Sequence, residues 1–232
     1  MYDWPEVRAG TDAVWAEIRE AGAARGLDLP MALTRPPGGA LRDHWHAPDL
    51  VFSQTCWGPL SRGLSDVLVP LAQPDYSAFA GGRGAFYRSA LVARSGRVMP
   101  VPQTPAAALP PGGVSGRLAY NDEESLSGLI ALAEDLGRDP RGEGALRTGS
   151  HRLSIRAVAE GRADIAAIDC RSWALALCHE PCADGLCVIG WTSERLGLPY
   201  VASRKTDPAV RAVLTDILLQ RGCTLPPGGE NA

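Results

Sequence analysis

The residues best placed to do chemistry lie between Thr148 and Asp169. The chain there reads Thr148-Gly149-Ser150-His151, an apolar-periodic stretch to Ala159, a stop at Gly161, the run Ile165-Ala166-Ala167-Ile168, and a closing acid, Asp169. This order predicts a strand end, a small polar turn, a helix, a glycine stop, a buried strand and a carboxylate at its tip. The first N–H groups of a helix lack intrahelical partners and carry partial positive charge, so a helix starting at Ser150 and His151 attracts an oxyanion without Lys or Arg. Asp169 is expected to point into the same crevice, or to cap the helix running through Trp173, whose ring is read as core. A carboxylate beside a bare anion is repulsive. The combination therefore favours a ligand carrying both an anionic end and an amine, a zwitterion.

Nucleophilic catalysis needs a Ser or Cys beside a His held by an acid. Ser150 adjoins His151, but neighbours on a turn diverge, and the sequence contains no G-x-S-x-G elbow, Walker-type loop or dinucleotide fingerprint. No catalytic residue is assigned, and a ligand is expected to be bound and released unchanged. Cys178, His179, Cys182 and Cys187 lie close together without the second hook of a structural zinc site. His44 and His46 are spaced i, i+2, which does not bring them to one helix face. Neither group is read as a metal site, and no cofactor is assigned.

These residues need elements to hold them. A helix is predicted over 11–25 with Thr11 as N-cap, then a short strand 31–34 and a turn at Arg35-Pro36-Pro37-Gly38-Gly39, a β-α-β beginning. A helix 41–46 and a buried strand 49–53 lead to the polar loop Gln54-Thr55-Cys56. That loop is placed to cap the helix near Trp57 and to meet a ligand at a strand's C-terminal end, Thr55 foremost. Strand 66–71 and the long run 85–93 follow, then a Pro- and Gly-rich loop over 98–116. Beyond it the pattern restarts: strand 116–120, a loop with Asn121 facing the ligand and the acids 122–124 at a helix start, a helix to 136, and strand 145–148. A strand 187–190, a return crossing over 198–203 and a helix 208–222 complete the chain.

Composition narrows the partners. Of 232 residues, 45% are apolar and 21% charged, as in ordinary soluble domains, and the net charge of −3 argues against nucleic acid and anionic membranes. No stretch approaches the roughly 18 apolar residues of a membrane span. The expected partner is a small molecule, and a monomer is expected.

The Gly149-Ser150-His151 turn, the block from Ala157 to Asp169, the Ser53-Gln54-Thr55-Cys56 loop and the Ser125-Leu126-Ser127-Gly128 turn together resemble the phosphate/phosphite/phosphonate-type substrate-binding proteins of ABC transporters. The resemblance covers most of the chain in order. It implies an α/β, two-lobed type II periplasmic-binding-protein fold, with two Rossmann-like lobes joined by two crossing strands. Lobe 1 would comprise residues 1–90 and 192–232, and lobe 2 residues 91–191, with the ligand in the cleft between them. It further implies a cradle of Ser125, Ser127, Ser150, His151 and Tyr87, with Tyr2 and Asp3 on the rim.

Two departures stand out. Leu126 replaces a threonine found in many phosphonate receptors, removing a contact worth about 1 to 3 kcal/mol. The chain also begins inside what resembles the family's Pro-Met-Tyr-Asp turn, so a cytoplasmic location is expected as written, and a periplasmic one if the true start lies upstream. The resemblance implies an ABC transporter permease as partner. An enzyme or a ligand sensor on the same fold is the alternative.

Overall fold

The computed structural model describes residues 2–36 and 40–227. It divides into two compact units, Met1–Pro74 with Leu198–Ala232, and Asp75–Gly197. The boundaries expected at 90/91 and 191/192 fall inside the second unit. The short strands on either side of them pair with each other there.

The first unit opens with α1 (Arg8–Ala23), entered through a 3₁₀ turn at Pro5–Val7. The helix thus starts earlier than the sequence pattern suggests. Thr11 is not its cap but an interior residue, with Oγ1 donating to the Val7 carbonyl at 3.2 Å. The strand expected at 31–34 is absent, because this run finds no neighbour to pair with; Met31 is exposed, and Trp15 Nε1 donates to the Pro30 carbonyl. In the expected turn that follows, Pro37 to Gly39 lie outside the described residues. Then come α2 (Leu41–His46), β1 (Ser53–Gln54), α3 (Trp57–Ser61) and β2 (Leu68–Ala72). Only the end of the expected strand 49–53 joins a ladder, and the start of 66–71 is a 3₁₀ turn.

The second unit contributes β3 (Gly82–Arg83), β4 (Phe86–Tyr87), β5 (Ser89–Ala93) and β6 (Leu118–Tyr120). A π-turn at Leu126–Ile130 continues into α4 (Ala131–Leu136). After it come β7 (Leu146–Arg147), α5 (His151–Ala159), β8 (Ile165–Asp169), α6 (Cys170–His179), β9 (Cys187–Trp191) and β10 (Arg195–Leu196). The chain ends in the first unit with β11 (Tyr200–Ser203) and α7 (Pro208–Gln220).

The first unit's sheet runs β1-β11-β2, antiparallel throughout. Alternation along each strand sends side chains to opposite faces. Val69, Leu71 and Ala202 pack with Trp15 and Ile18 of α1 and Leu214, Ile217 and Leu218 of α7, while Leu68 and Val201 join Trp45, Leu50 and Leu60. Burial on both faces explains why β2 reads as an unbroken apolar run.

The main sheet of the second unit has the order β7-β6-β8-β5-β9. β7, β6 and β8 are parallel, and β5 is antiparallel to both its neighbours. Ile165 and Ala167 of β8 pack with Leu129 and Leu132 on one face; α5 packs across β5, β6 and β8. Residues of the Pro-rich segment 98–116 lie along β9: Met99 donates its N–H to Val188, and Ala108 forms a β-bridge with Trp191. β3, β4 and β10 make a separate small sheet.

Candidate functional site

Each parallel strand of the second unit ends at the same edge of the sheet, and each is followed by a helical start. β6 leads through a loop to Leu126, β7 through a turn to His151, and β8 directly to Cys170. Side chains close each start. Ser125 Oγ accepts from Gly128 N at 3.0 Å, Ser150 Oγ from Leu153 N at 3.2 Å, and Asp169 Oδ1 from Ser172 N at 2.9 Å. These are N-caps of the expected kind, and they leave further N–H groups facing the strand ends.

At this edge three side chains meet. His151 Nε2 lies 2.9 Å from Ser127 Oγ and 3.3 Å from Asp169 Oδ2. Asp169 and Ser127 are buried, and the imidazole is 12% exposed. Burial holds the His151 pKa below its ordinary value, against the opposing pull of the Asp169 carboxylate and the Ala167 carbonyl. Ser127 and Asp169 approach the same ring nitrogen. A serine–histidine–acid relay needs the acid on one nitrogen and the hydroxyl on the other, so this trio is arranged to hold groups rather than to pass a proton from serine to acid.

Asn121 joins the same edge. Its carbonyl accepts from Gly149 N, and its Oδ1 is buried without a hydrogen-bond partner among the described residues. That oxygen explains Gly128, since a Cβ there would stand 1.8 Å from it. Tyr87 is buried in the small sheet, 5.6 Å from the ring of Tyr76, and is not among the residues that meet His151.

The candidates of the first unit are placed differently. Asp3 is engaged by Arg35 at 2.7 Å and by Arg8 at 3.3 Å, and the Arg35 hydrogen bond holds its carboxyl below the usual range. Tyr2 is buried. Gln54 Nε2 donates to the Leu198 carbonyl, and Thr55 is fully buried with its N–H on Pro199. The expected capping of α3 by this loop is not made: its N-cap is Cys56, which makes no side-chain cap bond.

Sequence reasoning missed three residues behind the trio. Ser89 Oγ donates to the Ser127 carbonyl at 2.9 Å, and its N–H donates to Thr192 Oγ1 at 2.8 Å. Arg88, 2% exposed, donates to the carbonyls of Thr104, Ala106 and Thr192 and pairs with Glu194 at 3.4 Å. The one signal, for Arg88 and Ser89 but not for Thr192, is a polar pair interrupting an apolar run.

Comparison with known proteins adds to this geometry. The family description of ABC transporter, phosphonate, periplasmic substrate-binding proteins matches residues 63–229. No curated protein matches significantly. Among solved structures, a binding protein component of an ABC phosphonate transporter from Pseudomonas aeruginosa is similar at 16% identity and TM-score 0.62, covering 88% of this chain and 67% of that one. PhnD1 from Prochlorococcus marinus in complex with methylphosphonate is similar at 19% identity and TM-score 0.54, covering 78% and 68%. A Xanthomonas citri protein bound to ATP is similar at 15% identity and TM-score 0.58, covering 88% and 75%. At these identities the structures establish the fold, that of the type II periplasmic-binding proteins.

Proposed function

The chain belongs to the phosphonate-type periplasmic substrate-binding proteins of ABC transporters, and from that membership we propose that it holds the oxyanion head of a small phosphonate-like solute at the strand-end edge of its second unit. The observation that carries this reading is the meeting of Ser127, His151 and Asp169 within 3.3 Å where three helical segments begin. N–H groups, a hydroxyl and an imidazole supply donors there, and the helix starts supply partial positive charge, so an anion can be desolvated without Lys or Arg. Ser125 and Ser150 cap the starts, and Asn121 offers its amide. Tyr87, Tyr2, Asp3, Gln54 and Thr55 remain ligand candidates of lesser support, since hydrogen bonds, ion pairs or burial already occupy them.

Both Asp169 oxygens have protein partners, one on Ser172 N–H and one on the His151 ring. This supports an oxyanion head as the recognised group, with any ammonium arm a secondary feature. The ligand is released unchanged to a permease of the same transporter, and the protein acts in the periplasm.

A thermal-shift and calorimetric comparison of phosphate, methylphosphonate, an alkylsulfonate and an aminoalkylphosphonate tests the proposal. A bound ligand at 100 times its Kd adds about 2.7 kcal/mol of stability. At least one phosphorus oxyanion is expected to bind stoichiometrically, and Ser127→Ala to weaken it about tenfold or more, in line with a lost hydrogen bond to a charged group. Absence of binding across the panel, or conversion of a bound ligand to product, would overturn the proposal. A marked preference for the aminoalkyl compound that Asp169→Asn abolishes would move recognition to the zwitterion.

A further inference from the structure

We propose that Ser89 is a positioning residue of this site: its hydroxyl fixes the turn that carries Ser127, and so sets how tightly the oxyanion is held without touching it. The inference rests on the binding reading above and adds to it a residue that tunes affinity from behind the site.

The turn that carries Ser127 has two hydrogen-bond registers within reach. In an α-helix a carbonyl accepts from the fourth residue on, and in a π-turn from the fifth. The Ser125 carbonyl accepts from both, Leu129 N–H at 3.2 Å and Ile130 N–H at 3.1 Å, whereas the Leu126 carbonyl accepts from Ala131 at the π spacing. The Ser125 side chain does not choose between the registers, because the Gly128 N–H that it accepts lies in the first turn and has no intrahelical partner in either. A contact from outside the turn can choose. The Ser127 carbonyl is the next in this row, and Ser89 Oγ donates to it at 2.9 Å. Carbonyl and side chain belong to the same residue, so the direction of the one fixes where the Ser127 hydroxyl stands against His151 Nε2, 2.9 Å away.

Ser89 is itself firmly held. It is fully buried in β5, its N–H donates to Thr192 Oγ1 at 2.8 Å, and its carbonyl accepts from the Thr192 N–H at 3.0 Å. Across the ladder it is the register partner of Asp169, and the preceding carbonyl, that of Arg88, accepts from the Cys170 N–H at 3.0 Å. One residue of the antiparallel strand thus stands behind two members of the trio, beside Asp169 and bonded to Ser127. A serine hydroxyl has a single proton. Ser89 places it on the Ser127 carbonyl, so neither a proton nor exposed surface is left for a ligand. Without that hydroxyl the Ser127 carbonyl is free to turn toward the α register, and Ser127 Oγ moves with it. A hydrogen bond weakens steeply as its angle closes, so the cost falls on the Ser127 contact with the anion.

A double-mutant cycle in affinity separates positioning from a general loss of structure. Calorimetry gives the Kd of methylphosphonate, or of phosphate where that is the anion the native protein binds, for native protein, Ser89→Ala, Ser127→Ala and the double variant, each shown to be folded by its unliganded melt. Ser89→Ala is expected to weaken binding about threefold to tenfold in the native background, and less than about twofold where Ser127 already lacks its hydroxyl. Ser89→Cys, whose thiol is a weaker donor, should lie between native protein and Ser89→Ala, and takes the place of Ser89→Ala in the cycle if that variant does not fold. Unchanged affinity in the Ser89 variant, or the same loss in both backgrounds, overturns the positioning role and leaves the binding reading intact. Native protein that binds neither anion, or Ser127→Ala that binds as native protein does, overturns both.

Discussion

The two units treat the ends of their strands differently. In the second, parallel β6, β7 and β8 finish at one edge and hand the chain to helices there, so caps and side chains from three separate segments converge on His151. In the first, the strands are antiparallel, the helix that follows β1 has five residues and no side-chain cap, and the charged candidate Asp3 is spent on Arg35 and Arg8. Parallel order gathers helix starts at one place; antiparallel order disperses them. The second unit is also the one whose arginine is buried. Arg88 is 2% exposed, against a side-chain exposure of 30% for Arg35.

That contrast predicts the largest difference. Arg88→Met leaves the carbonyls of Thr104, Ala106 and Thr192 without their buried donor, while Glu194 keeps Arg83, and should cost about 3 to 5 kcal/mol or prevent folding. Arg35→Met should cost no more than about 1 kcal/mol. Arg88→Lys should fall between, since an ammonium cannot reproduce the planar fork. Urea denaturation reads all three, and comparable losses for Arg88→Met and Arg35→Met would dissolve the distinction drawn between the units.

A smaller effect separates two glycines. Gly128→Ala sets a methyl against Asn121 Oδ1 and is expected to destabilise by about 1 to 3 kcal/mol, with partial recovery in the double variant carrying Asn121→Ala. Gly10→Ala in α1 meets nothing within 4 Å and should stabilise by about 0.5 to 1 kcal/mol. Thermal melts of the three variants suffice, and a neutral Gly128→Ala would mean that the edge is not tightly packed around Asn121.

The smallest difference is in acid. Arg156 and Arg152 hold the Glu180 carboxyl below its ordinary value, and Arg35 does the same for Asp3. A carboxyl depressed by folding contributes stability above its unfolded pKa, and that stability is lost as pH falls through the folded value. Native urea midpoints should therefore drop between about pH 5 and 3. Glu180→Gln should flatten the drop more than Asp3→Asn, because Glu180 is 3% exposed and Asp3 28%. Equal flattening would remove burial as the reason.

The legible parts of the chain were those whose signal is local. The run Ile165 to Asp169 became β8, the segment 41–46 became α2, and Asp169 became a cap, because period, cap chemistry and strand length are written within a few residues. Met31 to Thr34 has the composition of a strand but no partner, and pairing is not a local property. Ser89 acts on Ser127 across 38 positions and on Thr192 across 103, and nothing at Ser89 itself announces either contact. The same holds for Arg88, whose one visible trait, a charge inside an apolar run, does not name the carbonyls it serves.

The Pro-rich segment along β9 has a consequence for the protein in company. An open strand edge is a template on which another chain can polymerise by main-chain pairing. The second unit's main sheet has two such edges, β7 and β9. β7 is only two residues long, too brief to seed a ladder, and carries Arg147. β9 is five residues long, but Met99 and Ala108 already occupy part of its outer hydrogen-bonding row, and Arg88 grips the carbonyls of Thr104 and Ala106 in the intervening chain. A segment without regular structure thereby leaves less of this row open to another chain, and proteolytic nicking between Met99 and Ala108 is expected to unmask what it covers.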